Sequence, residues 1–314
     1  MARPLRIEFP GAVYHVTSRG NARDRIFHNE QDNRKFLEIL ETTVDRYSWL
    51  CYAYCLMENH YHLVVETSAP NLSEGMHHLN GAYTQAHHRR HQTVGHLLQG
   101  RFKSILVDKE HYLLELVRYV ALNPVRAGMA ADPRLWPWSS YSATAGLEPA
   151  HPCLQIGPIL KCFDNRPEEA RKCYQSFVQA GINRDSPWKN LKAQVILGDE
   201  GFIERMKPAI HPDPQAEAPA SREIPKQQRF ALRLPLAEIF GDWKSKGKRD
   251  EAIYESHTAH GYSQSEIASF LGIHYTTVSR AIRSKRKKMG SGKKMGSGLA
   301  IKHIAAGEFL IDGH

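Results

Sequence analysis

Two histidines, His60 and His62, stand one residue apart inside the apolar stretch MENHYHLVVE. In a β-strand alternate side chains share a face, so both imidazoles would point to the same side as Val64 and Glu66. Imidazole is a common ligand of divalent metals, and a strand fixes the distance between alternate side chains. The spacing therefore suits a metal site. Taken alone, however, the pair favours chance surface or core histidines, because 18 of the 314 residues are histidine.

A second pair of residues that could take part in a reaction, Tyr119 and Asn123, lies four residues apart in KEHYLLELVRYVALNP. Residues at this spacing share one face of a helix, one turn from each other. A phenol can act as a nucleophile, and an amide oxygen can bind a metal ion. The alternative is that Tyr119 packs among apolar neighbours such as Leu116 and Val120, and that Asn123 caps the helix before Pro124. Taken alone, these residues favour the packing interpretation.

The elements that must position these residues follow a recognisable order. Strand composition occurs in AVYHVTSRG, LCYAYCLM, HYHLVVET and RFKSILVD. Helical spacing occurs in QDNRKFLEILETTVDRYSW with Asp32 as its N-cap, in the stretch from Leu72 to Tyr83, and in KEHYLLELVRYVALNP. The predicted order is strand, helix, strand, strand, helix, strand, helix. This is the split βαβ order of ferredoxin-like folds, an antiparallel sheet with helices on one face, followed here by one extra helix. The predicted fold class is α+β.

The composition narrows the class of protein. A net charge of +9 favours a polyanionic partner, because Lys and Arg neutralise phosphates. The five cysteines form no C-x-x-C pair, which argues against a cysteine zinc site and against a disulfide framework. MARPLRIEFPG has no signal-peptide pattern, and no apolar stretch approaches the roughly 20 residues that cross a bilayer. We expect a cytoplasmic protein with no membrane partner.

Four motifs together resemble one family of enzymes. The set MENHYHLVVE, QGRFKS, RYVALNPVRAG and PWSSY is similar to the REP-associated tyrosine transposases, a bacterial branch of the HUH single-tyrosine DNA transposases. The resemblance covers roughly residues 5 to 145. It implies that His60 and His62 bind the metal, with Asn123 as a third ligand, and that Tyr119 is the nucleophile. It also implies Mg²⁺ or Mn²⁺ as cofactor.

The activity implied by the resemblance is cleavage and rejoining of single-stranded DNA that carries palindromic hairpins. The tyrosine would hold the 5′ phosphate covalently, and strand transfer would need no nucleotide cofactor. Two other readings stay open. One is a DNA-binding regulator that recognises repeats without cutting them, and the other is a metal-dependent nuclease that uses water. The resemblance leaves open whether the protein is a monomer or a homodimer.

Basic residues surround the predicted first and fourth strands. Basic side chains next to aromatic ones suit contacts to the DNA backbone and stacking on bases. The candidate DNA contacts are Arg19, Arg23 and Arg25 in SRGNARDRIF, and Arg101 and Lys103 on either side of Phe102. An ordinary solvated loop is an equally weighted alternative.

Beyond the motifs, the chain divides by composition. We expect a catalytic domain over residues 1–145, a helical accessory segment over 146–207 and a Pro/Ala-rich linker over 208–227. A helix-turn-helix domain over 228–288 and a flexible tail over 289–314 would follow. The shorter members of the resembled family end soon after the catalytic core, so the added domain is a departure from them.

The stretch YSQSEIASFLGIHYTTVSRAIRSKRKK has the pattern of a DNA-binding helix-turn-helix. Ser263 would cap a first helix, Gly272 would form the turn, and Val278 and Ile282 would face the core. The candidates to contact DNA are His274, Tyr275, Thr276, Thr277, Ser279 and Arg280 in a major groove, and Arg283 on phosphates. This domain suggests contact with duplex DNA that flanks the repeat. The alternative is a pair of helices that only pack together.

Overall fold

A computed structural model of the chain describes residues 7–184, 186–192, 195–210, 235–241, 245–258 and 260–292. Two compact units divide the chain, residues 1–232 and residues 233–314. Most of the predicted linker and tail lies outside the described residues. No helix in the described ranges is both long and apolar enough to cross a membrane.

The first unit is built on a sheet whose strands run in the order β2-β3-β1-β4-β6-β5. Strand β1 pairs antiparallel with both β3 and β4, and β2 pairs antiparallel with β3. Its first four strands are β1 (Ala12–Arg19), β2 (Trp49–Met57), β3 (His60–Thr67) and β4 (Lys103–Val107). The helices between and after them are α1 (Glu30–Tyr47), α2 (Leu72–His91) and α3 (Lys109–Ala121). All the predicted elements are present in the predicted order, and the α+β class is confirmed.

Successive side chains of β3 point alternately into two hydrophobic cores on opposite faces of the sheet. Leu63 and Val65 belong to a core that also contains buried residues of α1 and α2. Val64 belongs to the core on the other face, with Leu116 and Val120 of α3. A slip of β3 by one residue would exchange its buried faces, so burial on both sides specifies the register. The same register directs the histidines of β3 towards α3.

The start of α1 differs from the prediction. Its N-cap is Asn29, whose side-chain oxygen accepts hydrogen bonds from the backbone N–H groups of Gln31 and Asp32. Asp32, the predicted cap, lies inside the first turn. Its carboxylate instead accepts a hydrogen bond from the backbone N–H of His28 and contacts His91 of α2 at 2.9 Å. Either residue type can cap a helix, so composition alone did not distinguish them.

Three imidazoles gather where the start of α1 meets the end of α2. The ring centroids of His28, His87 and His91 lie 4.4 to 5.3 Å apart. His87 is 5% exposed, and neither of its ring nitrogens has a hydrogen-bond partner among the described residues. Burial and, as a smaller cause, the neighbouring His91 lower the pKa of His87 to about 4. His87 is therefore neutral in the folded protein near pH 7.

We predict that this buried histidine makes folding sensitive to acid. Unfolded chains protonate His87 below a pKa of about 6.5, whereas the folded chain resists protonation down to about pH 4, so stability falls as the pH falls through that window. His87→Gln should reduce the loss of unfolding free energy between pH 7 and pH 5 by about 1 kcal/mol, after discounting for solvent screening. Urea unfolding at both pH values measures this. His77→Gln, at an exposed position of the same helix, is the control, and an equal pH response in all three proteins would contradict the prediction.

The chain after α3 returns to the sheet. Strand β6 (Ile196–Leu197) pairs parallel with β4, and β5 (Leu191–Lys192) pairs antiparallel with β6. The predicted helical segment at 146–207 is wrong over these two-residue strands, because two residues carry no readable periodicity, and helix resumes only at Glu200. The helices of this part are α4 (Asn123–Arg126), α5 (Tyr141–Thr144), α6 (Ile156–Lys161), α7 (Pro167–Gln179) and α8 (Glu200–Ile210).

The second unit is helical over its described residues. Ser263 caps the third of its helices in a reciprocal capping box with Glu266, and Gly272 ends that helix with a φ of 63°. Ile267, Val278 and Ile282 are buried in the core of this unit. Its helices are α9 (Leu236–Phe240), α10 (Lys246–Thr258), α11 (Gln264–Leu271) and α12 (Tyr275–Gly292). The predicted pair of helices with a glycine turn is therefore present.

Candidate tyrosine and metal site

The two predicted histidines meet a third on the neighbouring strand. In the β1–β3 ladder Thr17 lies opposite His62, and His15 is two residues before Thr17 on the same face. Nε2 of His15 lies 2.9 Å from Nδ1 of His62, and the two rings stack with centroids 5.1 Å apart. The ring centroids of His60 and His62 are 5.0 Å apart. The site therefore contains three adjacent imidazoles.

All three imidazoles favour the neutral form. Burial lowers the pKa of His15 to about 3. The pKa of His62 lies well below its usual value, first because of burial and then because of His15 and His60. Burial, followed by the charge of Arg19, lowers the pKa of His60. Neutral imidazole is the form that binds metal ions, so the local environment favours the ligand state.

The hydrogen bonds of the pair suit a divalent cation. His15 contacts Nδ1 of His62, and Oδ1 of Asn59 contacts Nδ1 of His60 at 2.7 Å. Histidines that bind metals commonly donate one ring N–H to an outer partner, which orients the ring and leaves the other nitrogen for the metal. The same arrangement here would direct Nε2 of both residues to the ion. The donor set fits Mg²⁺ or Mn²⁺ when oxygen ligands complete it.

Tyr119 of α3 lies against these histidines. Its ring centroid is 6.1 Å from that of His62 and 6.0 Å from that of His15, both edge to face. The guanidinium carbon of Arg126 lies 5.1 Å from the centroid of Tyr119. Nη1 of Arg126 is buried without a hydrogen-bond partner among the described residues. A guanidinium with one unpaired nitrogen next to the phenol suits an anionic ligand at this point.

Asn123 begins α4, one turn beyond Tyr119. Its amide nitrogen donates to the backbone carbonyl oxygen of Tyr119 at 3.1 Å. This bond uses the nitrogen, and the amide oxygen is the atom that a cation would bind. The role of Asn123 as third ligand stays a prediction.

Sequence reasoning missed three residues of this site: His15, Arg126 and Trp188. His15 lies in the predicted strand AVYHVTSRG, but only the register of β1 against β3 brings it to His62. Arg126 follows Tyr119 by seven residues, a spacing of two helical turns that was a readable signal. Trp188 lies in a 3-10 turn at Pro187–Asn190, far along the chain, and no local pattern pointed to it.

A cleft of about 490 Å³ opens beside the histidines. It is lined by His60 and His62 and by basic side chains from two separate stretches of the chain. Four of the five candidate DNA contacts near the predicted strands lie here: Arg19, Arg23, Arg101 and Lys103. The fifth, Arg25, lies outside this cleft and pairs with Glu58 at 3.1 Å. The cleft therefore offers four basic side chains to an anionic ligand.

The second unit presents a polar helix surface. His274, just before α12, is exposed, as are Tyr275, Arg280 and Arg283 on the helix, whereas Val278 is buried. Nδ1 of His274 contacts the hydroxyl of Thr276 at 2.9 Å. The remaining candidates on this helix, Thr277 and Ser279, are half-buried.

A further cluster with ligand chemistry lies at the other end of α3. Ligand atoms of Asp108, His111 and Asp199 lie within 4.8 Å of one another. Asp108 contacts His111 at 2.9 Å, and Asp199 accepts a hydrogen bond from the backbone N–H of Phe202 at 2.6 Å. Eleven residues separate Asp108 from Tyr119, roughly 16 Å along a helix. The cluster is too far away to serve a phosphate at Tyr119.

Fold and site together suit one class of chemistry. A histidine pair on a central strand, with His62 buried and His60 half-buried, a helix tyrosine against it and a basic cleft suit attack on a phosphodiester. Residues 9–123 match the family model described as "Transposase IS200 like". This part of the chain is similar to that family of transposases.

The chain is also similar to a solved structure, described as "Structure of the REP associates tyrosine transposase bound to a REP hairpin". The identity is 17%, the match covers 50% of this chain and 93% of that one, and the TM-score is 0.42. No curated protein matches the chain in sequence.

Proposed function

We propose that this protein is a metal-dependent transposase that cleaves and rejoins single-stranded hairpin DNA through a covalent 5′-phosphotyrosine. The observation that carries the proposal is the contact of the Tyr119 ring with His62, at 6.1 Å between centroids. A tyrosine beside the two predicted metal-binding histidines is placed to act as a nucleophile. The nucleophile and the metal ion that activates the phosphate must meet at the same phosphate. The family match over residues 9–123 supports DNA transposition as the reaction class.

In the first step the Tyr119 oxygen attacks the phosphorus of the cleaved bond. A phenol has a pKa of about 10, so its proton must pass to a base or to solvent as attack proceeds. The bond between phosphorus and the 3′ oxygen breaks, and that oxygen leaves as a free 3′ hydroxyl after taking up a proton. Tyr119 then holds the 5′ phosphate of the downstream strand.

His60, His62 and Asn123 would hold Mg²⁺ or Mn²⁺, which offsets negative charge on the phosphate. His15 keeps His62 in the orientation described above. Arg126 lies beside the Tyr119 ring and would favour the developing phenolate and the phosphate, because a partly desolvated cation is attracted to both.

In the second step a 3′ hydroxyl of the same or another strand attacks the phosphotyrosine. A new phosphodiester bond forms, the bond to Tyr119 breaks, and the phenol recovers its proton. The energy of the cleaved bond is kept in the phosphotyrosine, so no nucleotide cofactor is needed. Transfer to a different strand is the recombination step.

The proposed substrate is a single strand that carries a palindromic hairpin. The similar solved protein is bound to a REP hairpin, and the basic cleft beside His60 offers contacts for a backbone. We propose that Arg19, Arg23, Arg101 and Lys103 bind this strand, whether the enzyme acts as a monomer or as a homodimer. The expected location is the cytoplasm.

The test uses hairpin oligonucleotides taken from the flanks of the gene, labelled at the 5′ or at the 3′ end. With Mn²⁺ or Mg²⁺, denaturing gels should show a protein-linked band with the 3′ label only, because the tyrosine keeps the downstream strand. An added acceptor strand should give a recombinant product. Binding without cleavage would favour the regulator. Free cut strands without a linked band would favour the water-dependent nuclease.

We also propose that residues 228–288 bind duplex DNA next to the repeat, as a domain separate from the catalytic residues 1–145. Exposed polar side chains on α12 support this, since a recognition helix needs such a surface. The accessory segment at 146–207, the linker and the tail complete the proposed organisation.

Arg280→Ala should weaken duplex binding on the order of tenfold, because one lost base or phosphate contact costs about that much. Fluorescence anisotropy over a range of salt concentrations measures the effect. Arg249→Ala is the control, because Arg249 lies on α10 and pairs with Asp250 at 3.2 Å. An equal loss in both variants would contradict a recognition role for α12.

A further inference from the structure

We propose that Trp188 is a positioning residue for Tyr119, and that the strand pair β5–β6 thereby completes the catalytic site. This inference rests on the proposed role of Tyr119. It assigns a function to a part of the chain that carries no chemistry of its own and lies outside the family match, which ends at residue 123.

Trp188 contacts two aromatic side chains of the site. Its ring centroid lies 5.0 Å from that of Tyr119, with the planes at 80°, and 4.9 Å from that of His15, with the planes at 32°. An edge-to-face contact of this kind restricts a ring more specifically than apolar packing alone. Trp188 therefore links the proposed nucleophile with the histidine that orients His62.

Strand β6, which pairs with β5 directly after the turn of Trp188, is anchored to the strand that leads into α3. The backbone N–H of Leu106 donates to the carbonyl oxygen of Val195, and that of Asp108 donates to Leu197, both at 2.8 Å. Asp108 is the N-cap of α3. The segment that carries Trp188 is therefore fixed at the start of the same helix that carries Tyr119 near its end.

Arg184, four residues before Trp188, holds a further neighbour of Tyr119. Nη2 of Arg126 donates to the carbonyl oxygen of Arg184 at 3.2 Å, and the same guanidinium lies 5.1 Å from the Tyr119 centroid. Trp188 thus contacts Tyr119 directly, and Arg184 contacts it through Arg126. Such a frame limits the rotamers of the phenol.

Loss of Trp188 is expected to lower the rate of attack by Tyr119 rather than the affinity for hairpin DNA. Attack needs the phenol oxygen in line with the leaving oxygen, and a small misplacement of a reacting group can lower a rate on the order of 10²-fold. The cleft that binds DNA is lined by other residues. The competing view is that Trp188 only fills space at the edge of the core that contains Val120.

The kinetic test compares Trp188→Ala, Trp188→Phe and Trp138→Ala in the full chain with Mn²⁺. Trp138 is a half-buried indole packed against the other core, so its truncation controls for loss of packing. At saturating hairpin, Trp188→Ala should form the covalent product roughly 10- to 100-fold more slowly, with hairpin Kd changed less than about threefold. Trp188→Phe should recover most of the rate. An unchanged rate in Trp188→Ala would overturn the proposal, as would a weakened Kd that accounts for the whole loss.

A second readout does not depend on activity. In protein labelled with 3-fluorotyrosine, the ¹⁹F signal that disappears in Tyr119→Phe identifies Tyr119. Trp188→Ala should move this signal and increase its solvent isotope shift, whereas Trp138→Ala should leave it in place. An unmoved signal would overturn the positioning role. If wild-type protein forms no covalent product but the ¹⁹F signal still moves in Trp188→Ala, the proposed function has failed, whereas the contact between Trp188 and Tyr119 is supported.

Discussion

Tyr119→Phe is expected to abolish the covalent DNA–protein product, with cleavage slowed on the order of 10³-fold or more. The substitution removes only the hydroxyl, so the ring keeps its contacts with His15, His62 and Trp188. The fold and the basic cleft should be unaffected, and hairpin binding should be retained. The measurement is single-turnover cleavage, with the linked product resolved on denaturing gels.

Tyr112→Phe is the matched control for this prediction. Tyr112 lies on the same helix, seven residues earlier, and packs at the edge of the same core. Its variant should cleave and join DNA at the rate of the wild type. A linked product that persists in Tyr119→Phe but disappears in Tyr112→Phe would move the nucleophile to Tyr112. Cleavage by both variants without any linked product would replace the tyrosine mechanism with attack by water.

The second large effect that we expect is a loss of DNA cleavage when the metal or one of its predicted histidine ligands is removed. Chelation by EDTA is expected to stop cleavage by the wild type, and Mn²⁺ should restore it. In His60→Ala, saturating Mn²⁺ should leave a rate lower on the order of 10²-fold, because a single remaining imidazole holds the ion loosely. His60 is half-buried and His62 is 7% exposed, so His60 is the substitution that disturbs the core less.

A direct measurement of metal binding distinguishes loss of the metal site from general damage to the fold. Isothermal titration with Mn²⁺ should show weaker binding in His60→Ala, with hairpin affinity in EDTA equal to that of the wild type. His77→Ala, on the exposed side of α2, is the matched control and should retain activity and metal affinity. Full cleavage by His60→Ala, or cleavage by the wild type in EDTA, would refute the predicted metal site.

The elements of the fold were readable from local patterns. Periodicity predicted the four long strands and three long helices of the first unit. Burial of one face of a helix or strand requires apolar residues at a regular spacing, which can be read from the sequence. Ser263 and Gly272 predicted the bounds of a helix in the second unit, because capping and a left-handed turn depend on the residue itself. The family resemblance, confirmed over residues 9–123, rested on motifs of the same local kind.

Tertiary structure alone decided which distant residues surround the predicted site. The register of β1 against β3 brings His15 to His62, and that register depends on two cores packing on opposite faces of the sheet. The return of the chain along β4 brings Trp188 to Tyr119. A sequence records the preferences of each residue for its near neighbours, whereas these contacts depend on the summed burial of many side chains far apart in the chain. The candidate nucleophile and ligands could therefore be named from the sequence, but the residues that orient them became visible only in the folded chain.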